Sequence, residues 1–196
     1  MRSARACFIL GMAIAGLTAG CASPSATFYT LSPDPSLTRA GTTPHVSVVI
    51  GPVTVPDMVD RPQIVTRIGD NEVALNEFAR WAQPLKGDIA RVIAADLATL
   101  LNSQQVSVYD TAYDPLTAWH VRLDVVGFES VPGRDVTVDV LWAVRAPGKA
   151  RPVTGRSVVR EAVSGQGFNP IVAAHDRALA SVSRDIAAAV QAGGAQ

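Results

Sequence analysis

The chain has 196 residues, of which 48% are hydrophobic and 17% charged, with 17 basic residues balanced by 17 acidic ones. This content is enough for one sizeable core, and the even charge argues against a nucleic-acid partner, which would need a clustered basic face to displace counterions. Two cysteines are too few for a disulfide framework, and His45, His120 and His175 stand too far apart to form a metal-ligand spacing.

Arg2 and Arg5 give a short positive start, followed by the apolar run Cys7 to Leu17 (CFILGMAIAGL). That length matches a secretory signal and is too short for an ordinary membrane-spanning helix. The stretch Leu17-Thr18-Ala19-Gly20-Cys21 resembles a bacterial lipobox, with Thr18 where leucine is commonest. The resemblance implies that residues 1–20 leave as a signal peptide and that Cys21 carries the lipid. Cys7 leaves with the signal, so the remaining 176 residues have no second thiol and must fold on their core alone. They carry 15 basic and 17 acidic residues, so membrane attachment would come from several acyl chains and not from a polybasic surface.

Residues 21–44 read as the lipidated N-terminus, a first strand at "TFYTL" and a linker from Ser32 to Pro44, whose prolines sustain neither a ladder nor a helix. The main domain is expected over 45–196. "HVSVVIGPVTVP" is a strand broken by a bulge or sheet edge at Gly51-Pro52. Gln63 to Ile68 and Glu72 to Leu75 flank Gly69-Asp70-Asn71 and predict a hairpin. "EFARWAQPL" leads into a helix in which Leu85, Ile89, Ile93, Leu97 and Leu101 recur every fourth residue, so one face is buried.

"QVSVYD" is a short strand candidate. "WHVRLDVVGFE" and "DVTVDVLWAVR" alternate apolar with polar residues, which predicts strands with one face on a core. In both, Trp119 and Trp142 fall in phase with the inward aliphatic positions. "APGKARP" turns the chain into a last strand, "VTGRSVVREAV". Asn169-Pro170 then caps a helix whose inner stripe runs through Ile171, His175, Ala178, Leu179, Val182, Ile186 and Val190. The expected fold is α+β: a single two-layer domain, a largely antiparallel sheet with two helices packed on one face.

Together with the lipobox, the segments "FYTL", "VVIGPVTVPDMVDRPQIVTR" and "FARWAQPLKGDIARVIAADLATLL" resemble the ABC-type transport auxiliary lipoproteins, specifically the PqiC (YmbA-like) family. Asp60 to Val65 with Arg80-Trp81 is the most specific part. The resemblance implies a periplasm-facing lipoprotein beside an MCE-domain (PqiB-like) protein in an intermembrane lipid transport system that supports envelope integrity. Family members are mostly anchored in the outer membrane. Ala22 is not the aspartate that commonly signals inner-membrane retention, which agrees with that placement.

No nucleophile elbow, phosphate-cradling loop or metalloprotease motif occurs, and the expectation is a non-enzyme without cofactor. Asp57 and Asp60 beside Arg61 read as a solvated salt-bridge cluster. Binding is the expected work. Arg61, Pro62, Gln63, Arg67, Arg80 and Trp81 form the candidate partner surface, since Arg and Trp are enriched in interface hot spots. A second reading has Trp81 packing into the core and Arg61-Pro62 shaping a strand start. An apolar groove between sheet and helices would make a monomeric lipid shuttle. The alanine-rich helices instead favour close packing and a solid subunit, for which a ring of copies around the lipid path is the accompanying hypothesis.

Overall fold

The computed structural model describes residues 25–39, 46–108 and 117–194. Cys21 and His45 lie outside the described residues. Ten elements follow in order: β1 (Thr27–Tyr29), β2 (Ser47–Thr54), β3 (Gln63–Arg67), β4 (Val73–Trp81), α1 (Leu85–Leu100), β5 (Val106–Ser107), β6 (Ala118–Val131), β7 (Asp135–Arg145), β8 (Val153–Ala162) and α2 (Phe168–Gly194).

The expected α+β class holds, with the strands divided between two sheets. The larger has the order β5-β2-β6-β7-β8. Its β6-β7-β8 part is an antiparallel meander, while β2 runs parallel to both β5 and β6. Parallel neighbours require a long crossover, and α1 lies within the one from β2 to β5. The smaller sheet has the order β1-β4-β3, with β1 parallel to β4 and the β3–β4 hairpin antiparallel. The bulge expected at Gly51-Pro52 is present: the β2–β6 register shifts between Ile50 and Val53, beside a cis peptide bond. β4 extends through "EFARW" as far as Trp81, which sequence periodicity alone did not separate from the approach to α1.

The apolar stripes of α1 and α2 lie on one face of the larger sheet. Ile93, Leu97, Val121, Val140, Leu179 and Val182 are all buried there, so the space between layers is filled by side chains. On the opposite face Arg122, Val126, Leu141, Arg156 and Val158 are exposed, as the alternation of β6 and β7 predicts. His175 lies on the inner stripe of α2, as its phase with Ile171, Ala178 and Leu179 predicts. It is fully buried, its ring stacked on Phe128 at 3.8 Å and its Nε2 2.8 Å from the Ser130 hydroxyl.

Trp119 is buried and Trp142 half-buried. Trp142 stands opposite Gly155 in the β7–β8 ladder and donates its indole N–H to Ser157 at 3.0 Å. A Cβ at residue 155 would lie 2.1 Å from the Trp142 ring. Gly155 therefore gives the indole its seat, and Gly155→Ala is expected to cost about 1–2 kcal/mol of stability through overpacking. A lower urea midpoint with an unchanged m-value would show this. An unchanged midpoint would mean that Trp142 has room to move.

Candidate functional site

Two features stand out, and both depend on where α1 begins. The first is a concavity of about 430 Å³ walled by Asp60, Arg61, Pro62, Trp81, Pro84 and Lys86, among others. Its shape follows from local chain chemistry. The Pro56 carbonyl accepts the Val59 and Asp60 N–H groups, making a tight turn ahead of β3. Pro62 ends this turn and accepts the Trp81 N–H at 2.7 Å, which locks the end of β4 beside it. Pro84 then starts α1 without a side-chain cap, and its carbonyl accepts Gly87 and Asp88 N–H groups. Prolines fit before the first helical turn because they lack an N–H to satisfy. These backbone hydrogen bonds fix the shape of the walls.

The concavity has a mixed chemistry. Trp81 is only 5% exposed, its ring meeting Phe128 edge-on at 6.3 Å, so it supports the floor of the site and is chiefly a core residue. Lys86 pairs with Asp60 at 3.3 Å on the rim. Arg61 is half-buried, and its Nε is buried without a hydrogen-bond partner. The start of α1 adds a partial positive charge to the same wall.

Of the six expected partner residues, Arg61, Pro62 and Trp81 line this socket together. Gln63 and Arg80 face each other across β3–β4, and both bond to Glu77, Arg80 Nη2 at 3.0 Å. Arg67 reaches Glu129 on β6 at 2.8 Å and the Asp70 carbonyl at 3.0 Å, joining the two sheets. These three are placed by intramolecular bonds away from the socket walls. Lys86 and Pro84 were not among the expected residues. They come from the helix start, which folding brings against the hairpin.

The second feature is a clasp that holds the segment after β1. Asp88 accepts the Leu31 N–H at 2.8 Å and the Thr30 hydroxyl at 3.1 Å. Asp176 on α2 accepts the Ser32 N–H at 2.9 Å, and Asp96 accepts the Asp34 N–H at 3.3 Å and the Ser183 hydroxyl at 3.0 Å. Arg91 bonds both Asp88 and the Leu31 carbonyl, while Leu31 itself is fully buried. The distances make sense geometrically. Eight residues of α1 from Asp88 to Asp96 rise about 12 Å, which an extended chain covers in about four residues, the separation of Thr30 from Asp34. The segment read as a linker is therefore laid along the helix pair as far as Asp34.

Burial raises the carboxyls of Asp96 and Asp176 to about 6 each, against the lowering effect of their hydrogen bonds. Burial alone lowers His175 to about 3. Among the described residues there is no group of three or more side chains able to hold a metal, and no helix is long and apolar enough to cross a membrane. Asp88 and Asp96 occupy the 88–92–96–100 row of α1, inside its apolar stripe. Aspartates at inward positions were the sequence signal for the clasp.

The model for the ABC-type transport auxiliary lipoprotein component matches residues 29–187, which include the clasp, the socket, all of α1 and most of α2. The chain belongs to this family. Membership associates it with transport as an auxiliary lipoprotein component. Among solved structures, family-like folds recur at low identity. The Xanthomonas campestris protein XCC0632, a DUF330 protein, superposes with a TM-score of 0.65 at 17% identity, covering 87% of this chain and 100% of its own. The crystal structure of an uncharacterized protein gives 0.68 at 18% identity, with 85% and 99% covered. At these identities the likeness establishes the fold. A search among curated proteins returns no match.

Proposed function

We propose that this auxiliary lipoprotein is a docking subunit of an MCE-type intermembrane lipid transport system. It is anchored in the outer membrane through a lipid on Cys21, faces the periplasm, and helps to maintain envelope integrity. Its socket receives part of the MCE-domain protein, and several copies form a collar around the lipid path. The observation that carries this reading is a socket walled by Arg61, Pro62, Trp81 and Lys86 on a domain whose central interior is filled. The filled centre leaves no room for an acyl chain there, and the monomeric shuttle, the weaker alternative, would have to use the apolar recess of about 740 Å³ that Trp119, Val144 and Ala189 line at the end of α2. The clasp supports an anchored role, because it transmits the position of the N-terminal tether to the domain. No enzymatic step is assigned.

A photo-crosslinking amino acid at Lys86 in the full lipoprotein is expected to capture an MCE-domain protein in cells. The same group at Val158, on the open face of the larger sheet, controls for non-specific capture. Equal capture of that protein from both positions, or from neither, would remove the socket from the docking role. Cys21→Ala should abolish labelled fatty-acid incorporation, and retained label would reject Cys21 as the anchor.

A further inference from the structure

The smaller sheet carries an apolar surface that neither the socket nor the core uses. Phe28 is 63% exposed, Phe78 54% and Leu75 45%. Phe28 pairs with Arg80 across β1–β4. Phe28, Arg80 and Phe78, two residues back along β4, therefore share the outward side of this sheet, while Ala79 and Trp81 point to the core. Leu75 and Phe78 stand together on the walls of a shallow depression of about 580 Å³, beside Ser25, Thr27, Tyr29 and Phe168. Two large aromatic side chains left in water beside a leucine are unfavourable for a protein meant to stay solvated, since burying them removes apolar surface from water.

The position of the anchor identifies what covers them. Phe28 is seven residues from Cys21. Fully extended, that chain reaches at most about 25 Å, and a bilayer with its headgroup layers is itself about 40–45 Å thick. The clasp at Thr30 to Asp34 prevents the domain from paying out more chain. The apolar side chains are thus held within a short tether of the membrane, where even a weak preference for the interface is favoured by the high effective concentration. Charge does not oppose the contact. Glu77, the carboxylate within this surface, is ionised but paired with Arg80 at 3.0 Å and hydrogen-bonded by Gln63, so the pair adds no net charge.

We propose that Phe28 and Phe78 form a bilayer-contacting surface that seats in the interfacial layer of the membrane holding the anchor. The lipid surface is the partner, and contact fixes the tilt of the domain so that the socket has a defined orientation to the membrane. The proposal rests on the lipidation of Cys21 stated above. Aromatic and aliphatic residues of this kind bury about 5–10 Å into the boundary between headgroups and acyl chains.

The test uses the full lipoprotein purified from its own envelope and reconstituted into phosphatidylethanolamine–phosphatidylglycerol vesicles doped with bromine-labelled phosphatidylcholine. Phe28→Trp and Phe78→Trp are compared with Val158→Trp, and intact mass reports acylation of each sample. The emission gained over wild type at positions 28 and 78 is expected to be quenched and shifted to the blue in vesicles, and that at position 158 unchanged. An acylated, vesicle-bound protein with equal quenching at all three positions would overturn the surface contact while leaving the anchor intact. Absence of acylation would overturn both. Loss of self-association in Phe28→Ser/Phe78→Ser, without any quenching in the tryptophan series, would overturn the membrane assignment and give the surface to a second copy.

Discussion

Replacing Asp88 by alanine is expected to destabilise the domain by about 3 kcal/mol, because a buried N–H and a neighbouring hydroxyl lose their acceptor together. Leu31 N–H is directed at this carboxylate in a fully buried setting, and no other acceptor is bonded to it. Thr30, Gln83 and Arg91 converge on the same side chain, so its loss frees donors from three elements at once. Arg91 is the best placed to recover, since it is half-exposed and can turn to water. Asp88→Asn should retain part of the stability by accepting through one oxygen. Urea denaturation of the three proteins gives the ordering. A further readout separates the clasp from general instability: below the transition, Asp88→Ala should expose residues 30–34 to protease while α1 remains protected. Equal protection of both regions in the variant would mean that Leu31 burial alone holds the segment.

The second large effect concerns acid. Asp96 and Asp176 have folded values of about 6, above the ordinary value of 3.8. A carboxyl raised on folding favours the fold most when protonated, so its contribution is fully present below about pH 3.8 and is lost as pH rises through 6. His175 has the opposite sign. Its folded value of about 3 lies below 6.5, so its contribution is full above pH 6.5 and falls away with acid down to about 3. From pH 7 to 4 the two aspartates thus offset the histidine, and the wild type should hold its stability across this range. Asp96→Asn keeps the shape of the site and an acceptor for the Asp34 N–H, but removes one titrating group. Relative to wild type it should lose roughly 3 kcal/mol between pH 7 and 4, from a two-unit shift at about 1.4 kcal/mol per unit. Urea midpoints at the two pH values measure it, and parallel shifts in both proteins would contradict the assignment. Below pH 4 both should unfold together, as Asp135 and Asp139 lose the charge that holds them to Arg160 and Arg156.

What the sequence made legible was local. The four-residue recurrence from Leu85 to Leu97 is a property of one helix, and the alternation in β6 and β7 is a property of each strand. Gly69-Asp70-Asn71 announces its hairpin because few residues tolerate such a turn. The division into two sheets was not legible, because it is decided by pairings between distant segments: β1 with β4, and β2 with both β5 and β6. The same holds for the site. Arg61, Pro62 and Trp81 were found by residue type, whereas Lys86 joins them only after α1 folds against the hairpin. Gln63, Arg67 and Arg80 share the same donor chemistry, but the nearby Glu77 and Glu129 engage them. Leu31 was read as the end of the first strand, and the prolines and small polar residues after it marked Ser32 to Pro44 as linker, which hid the hold on Ser32 and Asp34. The clue to the clasp lay on the opposite partner, in carboxylates that interrupt the apolar stripe of α1 at positions 88 and 96.

The docking account as a whole is tested most directly by purifying the full lipoprotein from its own envelope in mild detergent and measuring the native mass and identity of all that remains bound. The account requires a large, defined assembly that contains several copies of this chain and an MCE-domain protein, and that comes apart when Arg61 and Lys86 are changed to glutamate. A monomer carrying phospholipid, with no MCE-domain protein retained, would contradict it and favour the shuttle.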